Sequence, residues 1–304
     1  MSTNISAINK LKWANRQRLQ YLEIMVFYTG VVTRSDIAKT FGLSDAAATK
    51  DINLYNQIAP ENLIYKHAVF GFVPSNNFNA VIADLNPASA LPLIANNLTM
   101  MGGAEPQALV YGIPVETMPL PTRLPDKNIL AQIIRATKHQ KKLQINYLSL
   151  SDRNNTQNKA IQNTEQRIIE PHALINSGLR WHVRAYNEDT FDFRDFVLSR
   201  IQQAEVLTQN SDSSAEFDDD WVEIVTLQLS PHPKLSERKR KSLLIDYDAV
   251  DNVIEIRVRG ALLAYLLQRL SVDTTPDHSM NPNAYQLVIV NREDIETFAE
   301  WIFN

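Results

Sequence analysis

The stretch GLRWHVRAYNEDTFDFRDFVLSRI, Gly178 to Ile201, reads as two β-strands joined by a turn, with cations where an ordinary strand would carry core residues. In its first half Arg180, His182, Arg184 and Tyr186 alternate with Trp181, Val183 and Ala185. A period of two therefore gathers the polar groups on one face and sends the apolar ones, Trp181 among them, to the core. The second half repeats this, with Arg194 and Arg200 in step with Phe196 and Leu198. Guanidinium groups on adjacent strands repel one another and lose hydration, so such an array points to a phosphate or another multivalent anion as its counter-charge. The competing reading pairs these cations with Glu170, Asp192 and Asp195 in surface ladders. Against it, Asp195 falls on the face opposite Arg194 and is poorly placed to neutralise the array.

Outward from this pair, ILAQIIRATKHQKK (129–142) predicts a helix, Leu143 to Ser149 a strand, and RIIEPHALI another strand beyond the polar stretch SDRNNTQNKAIQNTEQ. Many short strands with one helix in about 75 residues predict a small barrel. Tyr147 and Ser149 share a strand face and offer a stacking ring and a hydroxyl, although Tyr147 reads equally well as core. His172, just after Pro171, reads more readily as a structural histidine than as a ligand contact. The acidic segment SDSSAEFDDDWVE, ending at Glu223, reads as a solvated linker. Beyond it, VEIVTLQLSPHPKL, a charged helix near Ser236 to Ile245, VIEIRVRG, a helix at Ala261 to Leu270 and YQLVIV predict a compact α+β domain.

Towards the N-terminus, residues 14–29 form an amphipathic pattern with Leu19, Leu22 and Val26 at helical spacing, stopped by Gly30. A short helix follows, capped by Thr33, turning Ile37, Ala38 and Phe41 inward and ending at Gly42. Ser44 caps a third helix from Asp45 to about Ile58, with Ala48, Ile52 and Tyr55 on one face. After Pro60, NLIYKHAVFGFVP (62–74) predicts a hairpin turning near His67 and Ala68. Helix, glycine turn, helix and hairpin make a winged helix-turn-helix, whose second helix enters the major groove of DNA.

On that helix Ala46, Thr49, Lys50 and Asn53 lie opposite the core stripe. Thr49 suits a thymine methyl or a phosphate, Lys50 a guanine edge or a phosphate, and Asn53 a phosphate or an adenine. Lys66 and His67 at the wing tip suit phosphate or the minor groove, and Thr33, Arg34 and Ser44 at the helix starts join the DNA-facing set. Arg16 and Arg18 read as a solvated face. Residues 1–80 carry eight cations against five carboxylates, although the whole chain of 304 residues has net charge −4. That local excess favours a DNA surface over a protein-interaction module. From Asn86 to Lys127 the chain holds half of its 14 prolines and reads as a connector with one helix near residues 88–98.

Several classes are disfavoured. With no cysteine there is no disulfide, zinc ribbon or thiol chemistry, and the six histidines lack metal-ligand spacing, so no metal or cofactor is expected. No apolar run approaches the roughly 20 residues of a membrane span and the start lacks a signal-peptide core, giving a cytoplasmic expectation without a membrane partner. Walker, GxGxxG, HExxH and nucleophile-elbow motifs are absent, so no enzyme is expected. The remaining catalytic option is phosphodiester cleavage by His182 in a cationic pocket.

Five motifs in order, RQRL (Arg16–Leu19), FGLSDAAATKDINLY (Phe41–Tyr55), EPHALINSGLRWHVRAY (Glu170–Tyr186), FRDFVLSRI (Phe193–Ile201) and LSPHPKL (Leu229–Leu235), resemble WYL-domain transcriptional regulators of the BrxR and CapW type. Such regulators accompany bacterial anti-phage defence systems. The tripeptide that names the domain corresponds to Trp181, His182 and Val183, so only its tryptophan is literal.

The resemblance implies an α+β multidomain chain: a winged helix-turn-helix (1–85), a proline-rich connector (86–128), a WYL domain with an Sm-like or SH3-like barrel (129–208), an acidic linker (209–221) and a C-terminal α+β extension (222–304). It further implies a homodimer that binds an inverted repeat in double-stranded DNA and represses a BREX- or CBASS-type defence operon. Its WYL pocket would sense a nucleotide or nucleic-acid ligand through Tyr147, Ser149, Arg167, Arg180, His182, Arg184, Arg194 and Arg200, with His172 beside them. The rival expectations are an activator responding to single-stranded nucleic acid, a phosphodiesterase or nuclease, and a protein-binding scaffold.

Overall fold

Two compact units, 1–118 and 119–304, divide the chain. The structure, a computed structural model, describes residue 8 and residues 11–95, 111–115, 123–149 and 164–303. Most of the polar stretch 151–166 and two parts of the proline-rich connector therefore lie outside the described residues.

In the first unit, helix α1 (Trp13–Thr29) buries Leu19, Leu22 and Val26 and ends at Gly30 with φ 81°. Helix α2 (Arg34–Phe41) starts in a capping box: the Thr33 hydroxyl accepts from Asp36 N, and the Asp36 carboxylate accepts from Thr33 N. Gly42, φ 62°, turns the chain into Ser44, whose side chain accepts from Ala47 N to cap α3 (Asp45–Ile58). Arg18, expected to be solvated, instead clamps α1 to α3: its Nε and Nη2 donate to Asp51 at 2.6 and 3.0 Å, largely out of solvent.

The wing is the antiparallel pair β1 (Leu63–Lys66) and β2 (Gly71–Pro74), joined through a 3-10 turn at His67–Val69. A bridge between Val32 and Phe72 holds it to the helices. Gly71 is required there, because a Cβ would lie 2.9 Å from a Val31 methyl and 3.0 Å from the Val32 carbonyl.

Beyond the wing the chain is strapped back onto α1 by a buried carboxylate. Glu23 accepts from the backbone N–H groups of Val81, Ile82 and Ala83 and from the Tyr55 hydroxyl. These donors replace the water it gives up, so no cation is needed. Helix α4 (Pro87–Ala95) follows at the start of the expected connector, and Ile94 and Tyr111 join the core formed by α1, α2 and α3.

In the second unit, five strands, β3 (Lys141–Leu148), β4 (Thr164–Asn176), β5 (Trp181–Asn187), β6 (Asp192–Val197) and β7 (Ile201–Asn210), form one sheet, and α5 (Lys127–His139) packs on β3, β4 and β7. The sheet order is β6-β5-β4-β3-β7, with every pair antiparallel. Its two edges, β6 and β7, are joined by only the three residues Leu198–Arg200. The sheet must therefore curl back on itself, and Leu143, Ile145, Val183, Ala185 and Phe196 fill the resulting small barrel.

After a short helix α6 (Asp219–Val222), the C-terminal domain comprises β8 (Ile224–Pro231), α7 (Glu237–Asp246), β9 (Ile254–Arg259), α8 (Gly260–Arg269), β10 (Val272–Asp273) and β11 (Leu287–Ile289), closed by short helices α9 (Arg292–Ile295) and α10 (Glu300–Phe303). Its sheet runs β10-β11-β8-β9.

Two expectations need correction. Trp181 is 39% exposed and not core, because it pairs with Asn176 at the turn end of the β4–β5 hairpin, while Val183 and Ala185 reach the barrel interior. The acidic segment is not a solvated linker. The Glu170 carboxylate accepts from Ser211 Oγ and from the N–H groups of Asp212 and Ser213, and Asp218 is 1% exposed. Three of its acids are counter-charges for groups on the barrel: Asp218 and Asp220 for Arg184, and Asp212 for Lys142, which also pairs with Glu170 and Glu188.

Candidate DNA interface and effector face

Helix α3 buries Ala48, Ile52, Tyr55 and Ile58 and leaves Ala46, Lys50 and Asn53 exposed on the other side. Thr49 is half-buried; its hydroxyl donates to Asp45 O at 2.8 Å, which leaves the methyl outward-facing chemistry to offer. Thr33 and Ser44 use their hydroxyls as caps, so their first role is to set where α2 and α3 begin. Arg34 is exposed at the first position of α2. Lys66 and His67 are exposed on the wing, with the His67 ring edge-on to Tyr65 at 5.0 Å. All nine expected DNA-facing residues thus lie in the first unit, seven of them exposed.

The cationic face of β5 is arranged differently from its sequence pattern. His182 and Arg184 do lie opposite Val183 and Ala185, but they are 1% and 5% exposed because the C-terminal domain and α6 cover them. Arg184 donates from Nε and Nη2 to the two Asp218 oxygens, each at 2.8 Å, and from Nη1 to Asp195 at 3.4 Å. His172 Nε2 lies 2.9 Å from the same Asp218, and its ring packs edge-on to Phe193 and Trp221. Burial would raise the Asp218 pKa, but the Arg184 and His172 hydrogen bonds outweigh it and hold the carboxyl at about 2. Asp195 in turn accepts from the Tyr265 hydroxyl of α8 at 2.9 Å. Here burial wins and pushes the Asp195 pKa up despite Arg184 and Tyr265.

Other expected ligand residues are also engaged. Arg194 pairs with Asp192, and Arg167 pairs with Glu165 while lying over the Tyr147 ring at 5.7 Å. Tyr147 is buried in the barrel core, where its oxygen accepts from Val197 N at 3.2 Å. Ser149 is half-buried just past β3.

What remains is a smaller centre. Arg180 and Arg200, both half-buried, have no carboxylate within ion-pair distance among the described residues. His182 lies against the Tyr265 ring, 5.0 Å between centroids, and neither of its ring nitrogens has a hydrogen-bond partner. Burial, with the charges of Arg180 and Arg200, pushes its pKa down to about 4. A third guanidinium comes from α8: Arg269 packs so closely on the Gly178 turn that a Cβ there would sit 2.2 Å from its Nη1. Gly178, φ 82°, is fixed by its conformation, since the Arg269 guanidinium at the end of a flexible side chain can swing away from a Cβ.

The sequence reading missed Asp218, Tyr265 and Arg269, all supplied by elements C-terminal to the barrel. The one available signal was the DDDW run, an acid cluster that could answer a buried arginine. Among the described residues no cluster of three His, Cys, Asp or Glu is placed to hold a metal ion, and no helix is long and apolar enough to cross a membrane.

Comparison with known proteins places this architecture. Residues 14–96 match the BrxR transcriptional regulator winged helix-turn-helix domain, residues 128–206 the WYL domain, and residues 224–295 the BrxR transcriptional regulator C-terminal dimerization domain. The DNA-binding transcriptional repressor CapW of Escherichia coli (strain KTE188) is 29% identical over 289 residues, covering 93% of this chain and 91% of the relative. The CapW repressor of Stenotrophomonas maltophilia is 28% identical over 295 residues, 96% and 94% of the two chains. That of Pseudomonas aeruginosa is 29% identical over 296 residues, 95% and 93%. The chain belongs to the WYL-domain transcriptional regulators of the BrxR and CapW type.

Proposed function

We propose that this protein is a non-enzymatic, homodimeric transcriptional repressor acting in the cytoplasm. Helix α3 of each protomer enters the major groove at one half of an inverted repeat. The observation that carries this reading is the exposed Ala46, Lys50 and Asn53 surface on a helix whose opposite face is held by the core and by the Arg18–Asp51 clamp. Small and hydrogen-bonding residues there permit close approach to base edges, and the clamp fixes the helix so that the approach is reproducible. The likeness of residues 224–295 to a dimerization domain supports pairing of two such helices, which symmetric half-sites require. Resemblance to CapW supports a phage-defence operon as the regulated unit.

The effector reading is narrower than the strand pattern alone implied. An anionic ligand, a nucleotide or nucleic acid, is taken by Arg180 and Arg200 with His182 between them, while Arg184 and His172 belong to the joint between barrel and C-terminal domain. Because Arg269 of α8 flanks the same turn, a ligand there would pull on both sides of that joint. Any change it makes in the separation of the two recognition helices changes DNA affinity without touching DNA.

The test is binding of purified protein to the DNA upstream of its own gene, with and without nucleotide or single-stranded oligonucleotide. Specific binding lost in Lys50→Ala, and retained but unresponsive to ligand in Arg180→Ala/Arg200→Ala, is the expected result. Absence of a specific complex with the wild type would overturn the repressor reading, and a fall in promoter output on gene deletion would make the protein an activator.

A further inference from the structure

The wing carries more apolar surface than a hairpin that merely follows phosphates requires. Ile64, Tyr65 and Val69 are 48%, 45% and 45% exposed, and Phe70 is 78% exposed. Tyr65 leans on Phe72 at 5.2 Å and on His67, which leaves Phe70 projecting alone from the tip. Its backbone is as unusual as its exposure. Phe70 closes the 3-10 turn by donating its N–H to His67 O, and it sits at φ 48°, in the left-handed region. Bulky residues avoid that region, whereas glycine or asparagine occupies it at little cost. An exposed phenylalanine in a strained turn is thus unfavourable to the isolated fold on two counts, and strain of this kind concentrates where a side chain is used.

The neighbours indicate the use. Lys66 and His67 stand exposed at the start of the turn that ends at Phe70, supplying donors for phosphate beside an apolar tip. A cation beside an exposed apolar side chain is the combination with which minor-groove proteins grip the backbone and push a wedge between base pairs. Lys66, exposed among these apolar residues, suits a polyanion such as DNA better than the core of a protein interface.

We propose that Phe70 is a minor-groove wedge. With α3 in the major groove, the wing tip enters the neighbouring minor groove, and Phe70 partly unstacks one base step and bends the duplex. This rests on the DNA-binding reading and adds a second source of discrimination: the ease with which a step touched by no hydrogen bond can be deformed. Flexible pyrimidine–purine steps, TA or CA, are favoured at that position in each half-site.

The experiment measures the bend by end-labelled energy transfer on upstream duplexes, using full-length wild type, Phe70→Asn, Phe70→Leu and Lys50→Ala. Asparagine suits the left-handed turn, so Phe70→Asn should melt at or above the wild-type temperature and keep the wing folded. It should nevertheless bend DNA by roughly 20° less or more than that, bind roughly tenfold more weakly, and lose the preference for TA over GG at the flanking step. Phe70→Leu, which keeps an apolar wedge, should retain most of the bend. Wild-type bending by Phe70→Asn would overturn the wedge while leaving the DNA reading intact. So would a weakened dimer with an unchanged bend, which would assign Phe70 to a contact between protomers. Failure of the wild type to bind any upstream duplex would overturn both.

Discussion

The winged unit and the basic strand pair both carry polar residues at regular spacing, yet one pattern is exposed and the other is sealed. On α3, Lys50 and Asn53 face solvent as their periodicity implies. On β5, His182 and Arg184 alternate just as regularly and are buried beneath α6 and α8. Periodicity assigns a side chain to a face, but it does not say what lies against that face. An amphipathic helix at the edge of a small unit has solvent as its default neighbour, whereas a strand in the middle of a multidomain chain can have a second domain.

The sharpest way to break this contrast is to remove the acid beneath the sealed face. Asp218→Ala leaves Arg184 buried with only long contacts to Asp195 and Asp220, and should cost about 3–5 kcal/mol of stability by urea unfolding. A loss below about 1 kcal/mol would show that the joint is open in solution.

Next in size is a pH effect. His182 has a folded pKa of about 4, below its ordinary value near 6.5, so the unfolded chain binds the extra proton first. Stability is then full above about pH 6.5 and declines as the pH falls towards 4, by up to about 3 kcal/mol. His182→Leu should flatten that part of the pH–stability curve measured by denaturant melts, and an unchanged slope would mean the ring is hydrated.

On the exposed side, Lys50→Ala should leave the melting temperature unchanged and weaken operator binding by about 1–3 kcal/mol, with the salt dependence reduced by roughly one ion. The smallest effect separates two neighbouring cations, one just before β5 and one within it. Arg180→Ala, which removes a charge that repels His182 and has no carboxylate partner, should shift stability by less than about 1 kcal/mol. Arg184→Ala should resemble Asp218→Ala. Equal losses from the two arginines would erase the distinction between a free and a neutralised cation.

How much was legible in the sequence follows the same division. The helix boundaries were readable because their causes are local: Thr33 and Ser44 as caps, Gly30 and Gly42 as stops. The barrel strands were readable from alternation, and Val183 and Ala185 do face the core. Trp181 was misplaced because parity fixes its side of the strand but not whether the core extends as far as the hairpin end. Asp218 reads as a solvated acid because its partner, Arg184, is 34 residues away, and such a pairing exists only once two domains have met. Arg18 went wrong for the same reason, its partner Asp51 being 33 residues on. Glu23 carried no signal at all, since backbone N–H groups satisfy it and leave no trace in composition.

That Glu23 strap bears on where the DNA-reading part can be cut free. Three amides from 81–83 neutralise a carboxylate in the middle of the helical core, and Ile94 and Tyr111 pack on that core in turn. The smallest self-sufficient fragment therefore extends through Tyr111. One truncated before Val81 would bury a bare negative charge, and expression trials should find it insoluble while the longer piece folds.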